Sequence, residues 1–451
     1  MEKPHILLIN PWIYDFAAHD LWMKPLGLLY IASVLREEGY KISFIDCLDR
    51  YNTELLKLQN LERPKNKKYG SGHFLRTEVR KPDILKDIPR RYCRYGITEE
   101  IFIEELKKIS HPDAILVTSM MTYWYPGVFR AIEFLKDKFP NTPIILGGIY
   151  ATLCHDHALN NSGADFVFNG NDINGTLALI NKLTGIENQF RYSISELPSP
   201  AFDLYQNIDY ACISTSFGCP YQCTYCASKL LYPDFIQRKP ESVVSEIEYF
   251  YQKLGIKNFA FYDDALLVNS DKHIEIILDE VIKLNLYPYF HTPNGIHPRL
   301  ITASLAQKLF LSGFKTLRLS LETTNKKLQI ETGNKVTSEE FEEALKILKT
   351  AGFGKDGLGA YIFMGYPGKE KEEVNDSINY VTQKGIRPFL VEYSPIPGTF
   401  EWNRMIEKGI IEGNIDPLFH NNSVFLRKFL SWEESDLQKI KAMVRRGQHR
   451  A

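Results

Sequence analysis

The chain has 451 residues, of which 44% are hydrophobic, and its charge is nearly balanced, with 54 basic and 55 acidic residues. This length predicts two or three domains, and the balanced charge gives no indication of a nucleic-acid partner. No apolar run is long enough to cross a bilayer, and the N-terminus lacks the features of a signal peptide, so we expect a cytoplasmic protein without a membrane span.

The first part of the chain alternates short apolar strands with helices. Strands are predicted at 5–10, 41–46, 114–119, 143–148 and 164–170, with helices at 25–38 and 126–138 among them. Strands separated by helices indicate βαβ units and a parallel sheet, whose ligands bind at the carboxyl ends of the strands. We therefore predict a Rossmann-like α/β domain over residues 1–186.

A long insertion at about 50–108 interrupts this alternation, and its middle, 63–94, is rich in Lys and Arg. It is too long for a simple connection, which predicts a functional loop, a lid or a disordered segment. Two interpretations stay open: a solvated surface insertion, or a substrate lid that meets an anionic group.

A second α/β series follows a predicted linker at 187–210. Its strands are predicted at 211–216, 258–263, 289–293, 316–322, 359–365 and 389–394, with helices such as 242–254 and 338–350 between them. Six βα-type units indicate a partial (β/α)6 barrel over 211–399, with its site at the C-terminal strand ends. Residues 400–451 form a short C-terminal extension.

Three of the seven cysteines, Cys219, Cys223 and Cys226, are crowded into eight residues directly after the first strand of the second series. The odd number of cysteines and the wide spacing of the other four argue against a disulfide framework. Three thiolates in one loop can hold three irons of a cubane cluster and leave the fourth iron open. The alternatives are unrelated cysteines or a zinc site, which normally takes four ligands, and the sequence has no second cysteine cluster.

This CxxxCxxC loop, with Tyr225 before its last cysteine, resembles the radical S-adenosylmethionine (SAM) superfamily. The resemblance implies a [4Fe-4S] cluster on Cys219, Cys223 and Cys226, with SAM bound to the open iron. It implies that one electron cleaves SAM to a 5′-deoxyadenosyl radical, which abstracts hydrogen from an unactivated carbon of a small-molecule or natural-product substrate. An external electron donor such as flavodoxin or ferredoxin follows from the same resemblance.

The resemblance also implies a set of SAM-binding positions at later strand ends. An acidic turn at a strand end and a Gly-Pro turn are the ordinary structural alternatives for two of these segments. A two-residue period places Ser320 and Glu322 toward the same side of their strand. The positions are Tyr225, Asp263, Asp264, Ser320, Glu322, Ile362 and Gly365.

A parallel α/β domain before the barrel is similar to the arrangement in cobalamin-binding radical SAM enzymes, as are Pro25-Leu-Gly-Leu and the acid Asp46. The Asp-x-His-x-x-Gly motif of other cobalamin proteins is absent, and Asn171 stands where many relatives have Glu. A domain that keeps the fold and binds no corrin is the alternative. The cobalamin-binding positions implied are Thr118, Ser119, Met120, Gly147 and Gly148.

The function that this resemblance implies is cobalamin-dependent methylation of an unactivated carbon. Radical cyclisation, coupling or rearrangement without methyl transfer is the alternative within the superfamily, and a non-catalytic iron–sulfur redox protein is the alternative of another class. A methylthiotransferase needs a second cluster, but Cys47, Cys93 and Cys154 fall on separate predicted elements.

Overall fold

The computed structural model describes residues 3–187 and 191–450, and the chain divides into two compact units, Met1–Asp209 and Tyr210–Ala451. Each unit contains a parallel sheet, as the sequence predicts. In the described residues no helix combines the length and the apolar character that a membrane span needs.

The first unit is built on a five-stranded parallel sheet with the order β3-β1-β6-β7-β8. The order reverses between β1 and β6, and ligands of such sheets bind beside this switch point. The strand β1 is buried along its whole length and its four central residues are apolar, as expected for a strand covered on both faces. The strands are β1 His5–Asn10, β2 Ile13–Asp15, β3 Lys41–Asp46, β4 Arg76–Glu78, β5 Cys93–Tyr95, β6 Ala114–Val117, β7 Ile144–Leu146 and β8 Phe166–Val167.

Helices connect these strands and cover the sheet. A buried cluster that includes Leu7, Val117 and Leu135 forms the core of this unit. The helices are α1 Leu26–Glu37, α2 Thr53–Leu58, α3 Glu99–Lys107, α4 Tyr125–Lys138, α5 Ile149–Leu153, α6 His155–Asn161 and α7 Ile173–Thr184.

The insertion at 50–108 contains helices and strands, which contradicts the disordered alternative of the prediction. Its strands β4 and β5 join β2 in an antiparallel sheet with the order β2-β5-β4, above a small core that includes Phe74 and Tyr95. Local composition did not indicate these strands, because the apolar residues that form this core are separated by Lys and Arg. Two of the arginines are buried in ion pairs, Arg50 with Asp20 and Arg94 with Glu99.

The predicted linker differs from the structure as well, because its described residues from 191 to 209 belong to the first unit. Phe202 is fully buried, Ala201 N–H donates to the Leu29 carbonyl at 3.1 Å, and Ser33 Oγ donates to the Ser199 carbonyl at 2.6 Å. The Pro- and Ser-rich composition that suggested a free connector therefore belongs to a segment packed along α1.

The second unit contains a six-stranded parallel sheet with the sequential order β9-β12-β13-β14-β15-β16, which confirms the partial barrel. The predicted first strand is split into β9 and β10, and β10 pairs antiparallel with β11, which follows the cysteine loop. The strands are β9 Tyr210–Ile213, β10 Ser216–Phe217, β11 Ile236–Gln237, β12 Asn258–Phe261, β13 Tyr289–His291, β14 Phe314–Glu322, β15 Leu358–Met364 and β16 Arg387–Glu392.

The helices of the barrel continue into a C-terminal extension of three helices, α15 to α17. The extension packs on the last strands: Trp402, Met405 and Phe425 share a buried cluster with Phe363 and Tyr366. The helices are α8 Ser228–Leu231, α9 Pro240–Lys253, α10 Ile274–Lys283, α11 Ala303–Leu311, α12 Lys326–Glu331, α13 Ser338–Thr350, α14 Lys371–Gln383, α15 Phe400–Glu407, α16 Asn422–Phe429 and α17 Glu434–Arg450.

Candidate active site

The three clustered cysteines lie on a loop that leaves β10 through Gly218. Gly218 has φ +76°, and a Cβ at this position would lie 2.3 Å from the Asp234 carbonyl oxygen, so only glycine fits. Within the loop, Cys226 N–H donates to the Cys223 carbonyl at 3.1 Å, and Ser228 N–H donates to Cys226 Sγ at 3.4 Å. These bonds fold the loop tightly after the strand.

Protein atoms surround all three thiols. Burial raises the pKa of Cys219 and Cys223, and raises the pKa of Cys226 to about 11. Cys226 is nevertheless accessible to solvent. Cys226 is therefore the cysteine of this loop that a bound group can reach from solvent.

The donor set fits an iron–sulfur cluster. Across the part of the chain that the structure describes, no three His, Cys, Asp or Glu side chains converge on a single metal ion. A cubane does not require such convergence, since each thiolate binds a different iron. The three sulfurs on one loop would hold three irons, and thiolates are the ligands that such clusters use.

Two distant segments hold the cysteine loop in place. Thr224 N–H donates to the Thr332 carbonyl at 3.3 Å, and Glu401 N–H donates to the Thr224 carbonyl at 3.1 Å. Gly333, with φ +116°, lies so close that a Cβ would be 3.1 Å from Cys223 Cα. The loop is thus fixed by the turn after α12 and by the first turn of α15.

Asp263 and Asp264, which follow β12, have different surroundings. The Asp263 carboxylate is buried and accepts hydrogen bonds from Thr215 N–H, Thr215 Oγ1 and Ser216 Oγ. Burial raises its pKa, and these bonds oppose the shift. Asp263 therefore anchors the strand that leads into the cysteine loop.

Asp264, in contrast, is accessible and accepts one hydrogen bond, from Ser228 Oγ at 2.6 Å. Ser228 N–H also contacts Cys226 Sγ, so Asp264 lies beside the last cysteine of the loop. Burial raises the pKa of Asp264 although solvent reaches it, as at Cys226. Of the two acids, Asp264 is the one with oxygen atoms available to a ligand.

Glu322 ends β14 in an unusual backbone conformation, with φ +60°. The pairing of β14 with β15 shifts register between Ser320 and Glu322, so the regular two-residue alternation that the sequence argument used does not hold there. Lys335 Nζ lies 3.2 Å from Glu322 Oε1, and Lys369 Nζ donates to the carbonyls of Glu322 and Phe363 at 3.1 and 3.0 Å. Two lysines thus hold the carboxylate and the backbone of Glu322.

Tyr225, Ile362 and Gly365 are mostly enclosed. The Tyr225 ring meets the Phe363 ring edge-on at 4.8 Å, and the buried Tyr225 hydroxyl has no hydrogen-bond partner among the described residues. Ile362 is fully buried, so a ligand could meet only its backbone. A Cβ at Gly365 would lie 1.6 Å from Leu426 Cδ2, so glycine at this position makes room for the C-terminal extension.

In the first unit, the candidate residues Thr118, Ser119, Met120, Gly147 and Gly148 follow the neighbouring strands β6 and β7. Ser119 Oγ donates to the Gly147 carbonyl at 2.8 Å, and Gly148, at φ +93°, lies against the Ser119 backbone. Thr118, Met120 and Gly147 are partly accessible, and no atom lies within 4 Å of the position of a Gly147 Cβ. This edge is suited to the close approach of a large ligand.

Asp46, the acid at the end of β3 that resembles the cobalamin-binding enzymes, makes its hydrogen bonds within the first unit. Its carboxylate accepts hydrogen bonds from Asn10 Nδ2, Leu48 N–H and Tyr205 Oη. This acid therefore braces the end of β3.

Several residues beside these sites escaped the sequence argument, namely Thr215, Ser216, Ser228, Lys335 and Lys369. Thr215, Ser216 and Ser228 lie next to the cysteine loop. Their hydroxyl groups are natural donors to Asp263 and Asp264, and this is the signal by which the sequence could have indicated them. Lys335 and Lys369 lie in turns after α12 and β15, and no local pattern distinguishes them from surface lysines.

Comparison with known proteins agrees with this arrangement. Residues 213–381 match the profile of the Radical SAM superfamily. An uncharacterized methyltransferase of Pyrococcus horikoshii is 23% identical over 70% of this chain and 75% of its own length. Cytidylyl-2-hydroxyethylphosphonate methyltransferase of Streptomyces wedmorensis is 22% identical over 91% of this chain and 83% of its own length.

Among solved structures, the radical S-adenosylmethionine methyltransferase TsrM of Kitasatospora setae, with cobalamin and a [4Fe-4S] cluster bound, superposes with a TM-score of 0.65. The match covers 90% of this chain and 75% of TsrM at 14% identity, which establishes a shared fold.

Proposed function

We propose that the chain is a radical SAM enzyme that depends on cobalamin and methylates a carbon atom of a small molecule. The observation that carries this proposal is the cysteine loop, whose three thiols would hold three irons of a cubane and leave the fourth open. The parallel sheet of the first unit, with the order β3-β1-β6-β7-β8, supports it, because such sheets bind ligands beside their switch point. The relatives named as methyltransferases favour methyl transfer over cyclisation or rearrangement.

In the second unit, Cys219, Cys223 and Cys226 would hold the cluster, and Asp264 and Glu322 would offer carboxylates to SAM. When bound, the cluster and SAM together supply a 5′-deoxyadenosyl radical. Lys335 and Lys369 hold Glu322 in its left-handed conformation, which keeps its carboxylate at the strand end. Asp263 keeps the start of the loop fixed through Thr215 and Ser216.

In the first unit, Thr118, Ser119 and Met120 after β6, with Gly147 and Gly148 after β7, would hold cobalamin. When bound, cobalamin supplies a methyl group for transfer. The hydrogen bond from Ser119 to Gly147 keeps the two loops together, and the absence of a Cβ at Gly147 leaves space for a ligand.

The proposal includes an external reductant such as flavodoxin or ferredoxin and a cytoplasmic location. A cluster that must be reduced once per SAM cleavage requires a one-electron donor, and low-potential clusters are oxygen-sensitive.

The central test is anaerobic reconstitution of the cluster, followed by incubation with SAM and dithionite and assay of 5′-deoxyadenosine. We expect product from the wild type. Cys223→Ala should lose iron and product together, whereas Cys154→Ala, a matched change outside the loop, should keep both. A wild type that forms no 5′-deoxyadenosine while a control radical SAM enzyme does would contradict the proposal.

Cobalamin is tested separately, by growth with hydroxocobalamin and an absorbance spectrum of the purified protein. We expect a corrin spectrum, and Gly147→Leu should reduce the bound corrin at least tenfold because its side chain fills the open space beside Ser119. A corrin-free wild type would reject methyl transfer from cobalamin and leave radical SAM chemistry standing.

A further inference from the structure

Arg318 is a partly buried cation of β14 that lacks an acidic partner among the described residues. Its guanidinium lies 4.0 Å above the Phe389 ring, and its hydrogen-bond contact is a long one, 3.5 Å, to the carbonyl of the adjacent Leu317. Within the described part of the chain, no Asp or Glu carboxylate forms an ion pair with it. A buried charge normally requires a partner, because its removal from water is costly.

The side chain faces the inside of the barrel. Leu317 and Leu319 of the same strand, which precede the register shift, are fully buried, as expected of residues under the helices that cover one face of a βα sheet. Arg318 and Ser320 alternate with these leucines and are on the opposite face, which in a barrel of βα units is the interior. Arg318 lies two residues deeper along β14 than Ser320, below the strand ends where SAM-handling residues are expected.

The contact between Arg318 and Phe389 depends on a glycine of the strand between them. Arg318 pairs with Gly359 of β15, and a Cβ at Gly359 would lie 2.4 Å from Phe389 Cε2. Glycine therefore allows the ring to lie across β15 and the guanidinium to stack on it. The arrangement holds the arginine in one position.

Arg318 has a second cation near it. Burial lowers the pKa of Arg318 to about 10; Tyr361 opposes this shift and the charge of Arg387 adds to it. Arg387 is itself paired with Asp356 at 2.6 Å. Burial lowers the pKa of His291 to about 3, and the charges of Arg318 and Lys315 contribute, so this histidine is neutral. Thr316, which contacts His291, adds only a hydroxyl.

We propose that Arg318 binds an oxyanion of the substrate, a carboxylate or a phosphate, while the apolar part of the substrate lies against Tyr361 and Phe389. The planar guanidinium can donate two parallel hydrogen bonds to either group. Tyr361 is suited to the apolar role, because its hydroxyl is already bonded to the Pro293 carbonyl. This inference rests on the proposed function, and it names the chemical class of the substrate.

The first test needs no ligand and separates binding from structure. In Arg318→Met, a side chain of similar length keeps the contact with Phe389 and removes the unpaired charge. If the charge awaits a ligand, the variant melts about 2–4 °C higher than the wild type. If the arginine serves the fold through its contact with Phe389, the melting temperature falls, and that result overturns the inference.

The second test uses phenylacetate, phenyl phosphate and the neutral phenylacetamide as probes on the cluster-loaded protein with SAM present. We expect at least one anion to raise the melting temperature of the wild type, with no shift from the amide. Arg318→Gln should weaken the binding of that anion at least tenfold, and Arg318→Lys should weaken its binding less. Equal shifts from anion and amide, or no shift from any probe, overturn the inference.

Assay of 5′-deoxyadenosine on the same wild-type preparation keeps the two proposals distinct. Failure to cleave SAM contradicts the proposed function, whereas the melting temperatures report on Arg318 alone.

Discussion

At the scale of single residues, Asp263 and Asp264 are adjacent acids whose roles separate by their hydrogen bonds. Asp263→Asn replaces one accepting oxygen with a donor that faces Thr215 and Ser216, so the second unit should lose about 3 kcal/mol of stability. Asp264→Asn should leave the free energy of unfolding within about 0.5 kcal/mol of the wild-type value. The same change should weaken the binding of SAM. Urea unfolding and calorimetric titration of SAM measure the two effects, and equal losses of stability would contradict this division.

Lys369 provides a pH-dependent prediction. Burial lowers its pKa to about 7, so between pH 7 and the ordinary lysine range the unfolded chain binds a proton that the folded chain has released. The contribution of Lys369 to stability therefore rises with pH in this window and is constant below it. Its charge neighbours, Glu322 and Glu373, are both acids that favour the protonated form.

Urea unfolding of the wild type and of Lys369→Met from pH 6 to 10 checks this. The difference in unfolding free energy between the two proteins should grow from pH 7 to 10 in favour of the wild type. The variant should also be less stable overall, by about 1–3 kcal/mol, because the carbonyls of Glu322 and Phe363 lose their donor. A pH-independent difference would show that the lysine remains protonated.

At the scale of elements, the turn after α12 supports the cysteine loop by contact. Gly333→Ala should cost about 1–3 kcal/mol from its positive φ and, in addition, displace Cys223. Gly39→Ala is the matched control, since Gly39 has φ +90° and open space around its Cβ position. We expect both variants to be destabilised and only Gly333→Ala to lose iron per chain. Full iron content in Gly333→Ala would contradict a positioning role for this turn.

The helix α15 supports the same loop from the other side. Trp402 is 5% exposed in a cluster with Phe363 and Tyr366, so Trp402→Ala should cost about 3–5 kcal/mol and lower cluster retention. Phe400, on the same helix, is 62% exposed, and Phe400→Ala should change stability by less than about 0.5 kcal/mol. Denaturant midpoints and iron content of the two variants check the prediction, which fails if they behave alike.

At the scale of the whole molecule, two compact units predict unfolding that is not two-state. Scanning calorimetry of the full chain should resolve two transitions. SAM with the cluster should raise the midpoint temperature of the second unit's transition, and hydroxocobalamin that of the first unit's, since a ligand stabilises the unit that binds it. A single transition that both ligands shift equally would contradict this expectation.

The two parallel sheets were predictable, because strands such as β1 have a continuous apolar centre and helices separate most of them. The cysteine loop was predictable from three residues of one type at short spacing. The contact of Thr332 with Thr224, the left-handed Glu322 and the lysines around it were not, since they arise from segments far apart in the chain. The antiparallel sheet of the insertion was missed because its few apolar residues are dispersed among charges.

The hydrogen bond from Glu401 to Thr224 also orders events in time during synthesis. The chain leaves the ribosome from its N-terminus at about 5–20 residues per second, so α15 follows the cysteines by roughly ten to thirty-five seconds. During that interval the loop lacks the support of α15. The cysteine loop is therefore fully supported only once α15 has been synthesised.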